Sequence, residues 1–206
     1  MTSEERLRYA ATVTGFMPVE EGLALYELAR SLPVGATLLE IGAWCGRSSV
    51  FLGAGAAERD GVLFSLDHHH GSEENQQGWD YFDPVLVDPH DGRLNTLPVW
   101  QHTIAEAALE AVVIGLVGES TLVGSRLHLS FDLVFIDGGH GTEPAWNDYH
   151  TWAPRVRPGG VLAIHDVFEN PLDGGRPPYE IYLRALEEGF SLRSVCGSLR
   201  VLERLA

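Results

Sequence analysis

The chain has 206 residues, 45% hydrophobic and 21% charged, enough to bury the core of one globular domain. Acidic residues outnumber basic ones 29 to 14, giving a formal charge of −15, so a nucleic-acid backbone would be repelled and neither RNA nor DNA is expected as a partner. All 14 basic residues are Arg, which removes lysine as a base, Schiff-base former or phosphate clamp.

Cys45 and Cys196 are too few for a disulfide framework, and Met1 to Ala10 lacks the apolar core of a signal peptide. With no apolar run of spanning length, a reduced, cytoplasmic protein without a membrane partner is expected.

In chain order, Val19 to Leu32 carries apolar residues at helical spacing, with Glu20 and Glu21 in the first turn, where the dipole favours acids, and stops at Pro33. Residues 1–35 thus read as an N-terminal helical segment. Thr37 to Ile41 reads as a buried strand, Ser48 to Ala57 as a helix, and Gly61 to Leu66 as the next strand, ending in Asp67. Residues 68–95 lose periodicity and interleave polar residues with Trp79, Tyr81 and Phe82, the composition of a substrate loop or lid. A helix follows near Thr96 to Ala111, strands over Val112 to Val117 and Leu133 to Ile136, and a helix over Thr142 to Trp152. Pro158-Gly159-Gly160 leads into a strand over Val161 to Ile164. Beyond a glycine- and proline-rich loop come a helix over Tyr179 to Glu188 and short strands over Ser191 to Val195 and Leu199 to Leu202. Alternating strands and helices imply one α/β domain over 1–206, a Rossmann-like three-layer sandwich with a mostly parallel sheet covered on both faces and ligands at the strand carboxyl ends.

Three strand ends carry chemistry. Glu40-Ile41-Gly42-Ala43-Trp44-Cys45-Gly46 is an apolar strand that ends at an acid and breaks into a glycine turn, where backbone can approach a nucleotide-like cofactor and the next helix offers free N–H groups. Its spacing is G-x-x-x-G, not the dinucleotide G-x-G-x-x-G, which disfavours NAD and FAD. Asp67, 21 residues beyond Gly46, stands at the next strand end, where a carboxylate can accept both ribose hydroxyls. Glu119 and Ser120 follow the next strand, where an adenine edge would lie. Taken singly, each is equally a turn glycine, a solvated acid or a helix cap.

This series, with Asp137 and Pro158-Gly159-Gly160, resembles the class I S-adenosylmethionine-dependent methyltransferases over about residues 19–202. Within them it is similar to metal-dependent O-methyltransferases of sugars and natural products, which carry a D-G-x-H and a strand ending in H-D, E-D or D-N; the narrowest similarity is to mycobacterial enzymes of methylmannose polysaccharide synthesis. The resemblance implies a seven-stranded sheet with an antiparallel last strand. It also implies S-adenosylmethionine bound by Glu40, Gly42, Ala43, Gly46, Ser48, Asp67, His68, Glu119, Ser120 and Asp137.

Methylating a hydroxyl requires that its proton be removed and that oxygen, methyl carbon and sulfur lie in line. Asp137, His165 and Asp166 offer two carboxylates and an imidazole for a divalent cation, Mg²⁺ in the first place, with Mn²⁺ or Fe²⁺ admitted by the imidazole. Strand alternation opposes His165 and Asp166 facing one ligand unless the strand has begun to turn. His140, three residues beyond Asp137, is the expected general base. His68-His69-His70 reads as loop rather than zinc site, since three consecutive imidazoles converge poorly on one ion. Trp79, Tyr81 and Phe82 can offer flat faces to a sugar ring, with Glu73, Glu74, Asp80 and Arg93 as hydrogen-bonding groups, or can close the loop on the core.

The expected function is methyl transfer to a hydroxyl of a saccharide or oligosaccharide, by a protein with room to form a homodimer. The alternatives are a metal-independent methyltransferase of a small phenol or amine, and a noncatalytic adenosylmethionine-binding protein.

Overall fold

Neighbouring strand residues diverge to two separate cores. Leu38, Leu133, Val161 and Val201 pack on one face of the sheet, while Leu39, Val134, Leu162 and Leu202, each the next residue, pack on the other. Side chains alternate along a strand, so continuous apolar runs are what a sheet covered on both sides requires.

The computed structural model describes residues 1–79, 81–170 and 172–205. Its strands are β1 (Thr37–Ile41), β2 (Val62–Asp67), β3 (Val113–Val117), β4 (Phe131–Ile136), β5 (Val156–Ile164), β6 (Phe190–Cys196) and β7 (Leu199–Arg204), in the order β3-β2-β1-β4-β5-β7-β6. The first five pair in parallel, and β7 runs antiparallel to both β5 and β6. The chain reverses its direction of travel across the sheet between β1 and β4. A crevice therefore opens where those two strands end.

Helices α1 (Ser3–Ala10), α2 (Val19–Arg30), α3 (Arg47–Ala57) and α4 (Leu97–Glu106) cover one face; α5 (Ser120–Gly124), α6 (Thr142–Trp152) and α7 (Arg176–Glu187) cover the other. A Cβ at Gly22 would stand 2.3 Å from the Phe51 ring. Only glycine lets α2 lie so close to α3. Burying the fully enclosed Phe51 side chain stabilises that contact by about 2–3 kcal/mol.

Several boundaries differ from the sequence expectation. Pro158-Gly159-Gly160 lies inside β5, not before it, at a register shift against β4 that absorbs the irregular residues. The five-residue α5 is too short to show periodicity. Residues 68–95 hold two 3₁₀ turns, Glu73–Asn75 and Pro84–Leu86, and are anchored by Leu86 and Leu94 packing with Val13 and Cys45.

Candidate functional site

The glycine turn after β1 is fixed chiefly by contacts within the chain. A Cβ at Gly42 (φ +91°) would lie 2.0 Å from the Asp137 carbonyl oxygen, so the ends of β1 and β4 meet backbone to backbone. Gly46 (φ +95°) precedes α3, and a side chain there would crowd Trp100 and Thr103 of α4. Ala43 is buried in the core beside α3. Glu40 is wholly enclosed, its Oε2 accepting from the Ser49 hydroxyl at 2.5 Å and from Ser65 at 2.7 Å, and burial pushes its pKa up to about 7. Ser48 is buried nearby. The Glu40 carboxylate thus sits behind the turn, between β1, β2 and α3, and not in the open crevice where direct cofactor contact was expected.

Asp67 braces the turn from β2: its Oδ2 accepts from the Trp44 backbone N–H at 2.8 Å and its Oδ1 from that of His69 at 2.7 Å. Each oxygen keeps a further lone pair for a ribose hydroxyl. Trp44 (φ 48°), His69 (φ 62°) and Asp166 (φ 53°) all adopt the left-handed region, costing about 1–3 kcal/mol each, just past the ends of β1, β2 and β5. Three of the five non-glycine residues with positive φ among the described residues thus stand at the crevice, the others being Asp60 and Ala108.

That turn at Asp166 resolves the alternation problem: both residues after β5 reach Asp137. His165 Nδ1 lies 3.0 Å from Asp137 Oδ1 and 3.2 Å from Asp166 Oδ2, and His140 Nε2 lies 2.9 Å from Asp166 Oδ2. These approaches are short, yet neither ring nitrogen finds an oxygen in its hydrogen-bonding direction. Donor atoms of Asp137, His140 and Asp166 all fall within 4.8 Å of one another. Ligands at right angles around an ion with bonds of about 2.1 Å stand about 3 Å apart, so the spacing and the unpartnered nitrogens fit a divalent cation.

The far nitrogens are tied down. His140 Nδ1 pairs with Glu74 Oε2 at 3.2 Å, and His165 Nε2 with the buried Glu21 Oε2 at 2.5 Å. Burial opposes charge on both rings, but the carboxylates outweigh it, raising His165 strongly and His140 to about 9. Asp166 is likewise penalised by burial and held well below the usual carboxylate range by the two imidazoles; burial leaves Asp137 raised. Beside the cluster, a void of about 10 Å³, roughly one water, is walled by Ile136, Ala145, Ile164, Pro178 and Ile181.

The other expected residues are placed differently. Glu119 caps α5, its carboxylate accepting from the Thr121 and Leu122 N–H groups, and Ser120 Oγ accepts from Trp152 Nε1 at 2.8 Å, so both also hold local structure. His68 is exposed and accepts from the His70 N–H; His69 is buried against Thr96. The three rings do not converge. Glu73 and Arg93 are exposed, Asp80 lies outside the described residues, and Tyr81 packs edge-on to Phe16 with ring centres 5.0 Å apart, while Phe16 lies 5.8 Å from Trp44. Sequence reasoning missed the roles of Glu21, read as a helix-dipole acid, and of Glu74 as a histidine partner.

A family model described as a methyltransferase domain matches residues 39–167, more than half of the chain. Solved structures share the fold: the SAH-bound methyltransferase PaMTH1 of Podospora anserina (14% identity, TM-score 0.69, 99% of this chain and 88% of that one) and the O-methyltransferase TomG of Streptomyces achromogenes, in complex with SAM (20%, 0.65, 98% and 90%). A third is an O-methyltransferase of Bacillus cereus in complex with SAH (18%, 0.62, 99% and 90%). The sheet order, the glycine turn packed on Asp137 and the matched segment agree, and the chain belongs to the methyltransferase-domain family.

Proposed function

We propose that the chain is an S-adenosylmethionine-dependent O-methyltransferase acting on a hydroxyl of a small saccharide, with a divalent cation held by Asp137, Asp166 and His165 and with His140 as general base. The observation that carries this reading is the convergence of those four side chains beside the β1 turn. S-adenosylmethionine supplies a sulfonium methyl, and the SAM and SAH complexes of the structural neighbours support that cofactor. A cation among the carboxylates would neutralise them and lower the pKa of an acceptor hydroxyl.

Glu74 accepts the Nδ1 proton of His140 and leaves the Nε2 lone pair toward the acceptor. The O–CH₃ bond forms as the S–CH₃ bond breaks, the pair from that bond stays on sulfur as a thioether, and the hydroxyl proton passes to His140 Nε2. The exposed rings of Phe16, Trp79 and Tyr81 offer flat apolar surfaces of the kind a sugar face stacks on. We also take methylated mannosides as the first acceptors to try, and the cytoplasm and a homodimer as the working context; the latter two rest on composition and on the helical N-terminal segment. Among the described residues no helix is long and apolar enough to cross a membrane.

A second reading keeps the cofactor and drops the ion. The His165 imidazole already lies between two carboxylates, where a charge on it would stand in for a cation, and a phenol or amine acceptor would need less activation. Incubation with methyl-labelled cofactor and a panel of mono- and oligosaccharides, including partly methylated mannosides, tests the proposal. Label in a sugar methyl ether supports it. Transfer only to phenols or amines, or cofactor binding without transfer to any acceptor, overturns it.

A further inference from the structure

Glu21 lies on α2, outside the family-matched residues 39–167, and is 3% exposed. Its Oε1 accepts from the Ser198 backbone N–H at 2.5 Å and from the Ser198 hydroxyl at 3.1 Å, while Oε2 stands 2.5 Å from His165 Nε2. A carboxylate so supplied with donors stays ionised and only accepts, so the proton between Glu21 and the ring belongs to His165 Nε2. In the neutral ring this leaves Nδ1 as a lone pair. That nitrogen, on a ring 6% exposed, has no hydrogen-bond partner and lies 3.0 and 3.2 Å from oxygens of Asp137 and Asp166. Facing two carboxylates, that nitrogen needs either a proton or a cation among them, and a bound cation takes the proton's place. A carboxylate on the far nitrogen is also how ligating histidines are commonly oriented.

Resting on the cation reading above, we propose that Glu21 is a positioning residue for the ion: it fixes the His165 tautomer that presents Nδ1 and so sets the site to prefer a first-row transition ion such as Mn²⁺ over Mg²⁺. Imidazole nitrogen is a good donor to transition ions and a poor one to Mg²⁺, which takes oxygen. In place of the Mg²⁺ first expected for the Asp137, His165 and Asp166 set, the buried Glu21–His165 pair tips the preference toward an ion that takes nitrogen. The close packing of Gly22 on Phe51 holds α2 where Glu21 can do this.

The test measures ion binding, not turnover. Mn²⁺ binding to the full chain is followed by the EPR signal of the free ion, and Mg²⁺ by its displacement of Mn²⁺. The wild type is expected to bind Mn²⁺ more tightly. E21Q keeps the shape but makes one terminal atom a donor, facing either Ser198 or His165, and should weaken Mn²⁺ binding about 10- to 100-fold while weakening Mg²⁺ less. An E21Q protein whose Mn²⁺-to-Mg²⁺ preference stays within about twofold of wild type overturns the proposal and leaves the cation reading standing; a wild type that binds neither ion removes both. Should E21Q not fold, H165N decides: loss of the Mn²⁺ preference supports the proposal, and an unchanged preference overturns it.

Discussion

Glu74 Oε2 stands 3.2 Å from His140 Nδ1, tying the loop after β2 to the loop after β4 across 66 positions of sequence. The pair orients the base; against the opposing pull of burial, its pKa is held up first by Asp166, then by Asp137, and last by Glu74. Glu74→Gln is therefore expected to lower kcat about 10-fold with little change in KM, and to move the rising limb of the kcat–pH profile to lower pH, because a less basic His140 loses its proton sooner. His140→Ala should cost about 10²–10⁴-fold in kcat. A Glu74→Gln profile displaced to higher pH would contradict the assignment.

Ion removal gives a separate check. Chelation with EDTA should abolish methyl transfer to a saccharide, and added Mn²⁺ or Mg²⁺ should restore it, if the Asp137, His165 and Asp166 donors hold a cation. Turnover that survives exhaustive chelation would leave the imidazole-only site as the working description. Asp137→Asn, which removes one anionic ligand, should mimic chelation.

Much of this arrangement is legible in the chain itself. Both-faced burial writes continuous apolar runs such as Leu133 to Ile136 and Val161 to Ile164, and each is followed by an acid or histidine where ligands gather. Asp137, His140 and Asp166 stand out because three titratable groups follow two such runs. Glu21 and Glu74 do not, because their partners lie 144 and 66 positions away and nothing local distinguishes a buried acid from a solvated one. Glu119 is ambiguous for the opposite reason: an acid after a strand serves equally to cap a short helix, as it does here.

The contact between Gly42 and Asp137 makes a stability prediction. Gly42→Ala places a Cβ 2.0 Å from a backbone oxygen at φ +91° and should cost about 3 kcal/mol, lowering Tm by roughly 10 °C. Gly78→Ala, at φ +98° with nothing within 4 Å, carries the backbone strain alone and should cost about 1 kcal/mol. Equal losses in thermal melts would mean that the approach of β1 to β4 is not what demands the glycine.

Glu40 makes the pH dependence of folding testable. Burial raises its folded-state pKa from 4.5 to about 7, against the pull of Ser48, Ser49 and Ser65. A carboxyl whose pKa is raised on folding contributes stability that is fully present below the unfolded value and lost as pH rises through the folded one, so its loss falls between about pH 4.5 and 7. A shift of that size corresponds to about 3 kcal/mol. Glu40→Gln cannot ionise, so the stability difference, variant minus wild type, should grow more favourable to the variant across that window and level off above it. Cofactor-free protein melted at stepped pH measures the difference while other titrating groups cancel. A difference that stays flat, or that falls as pH rises, would mean that Glu40 is ionised inside the fold and that its unpartnered Oε1 meets a donor from solvent.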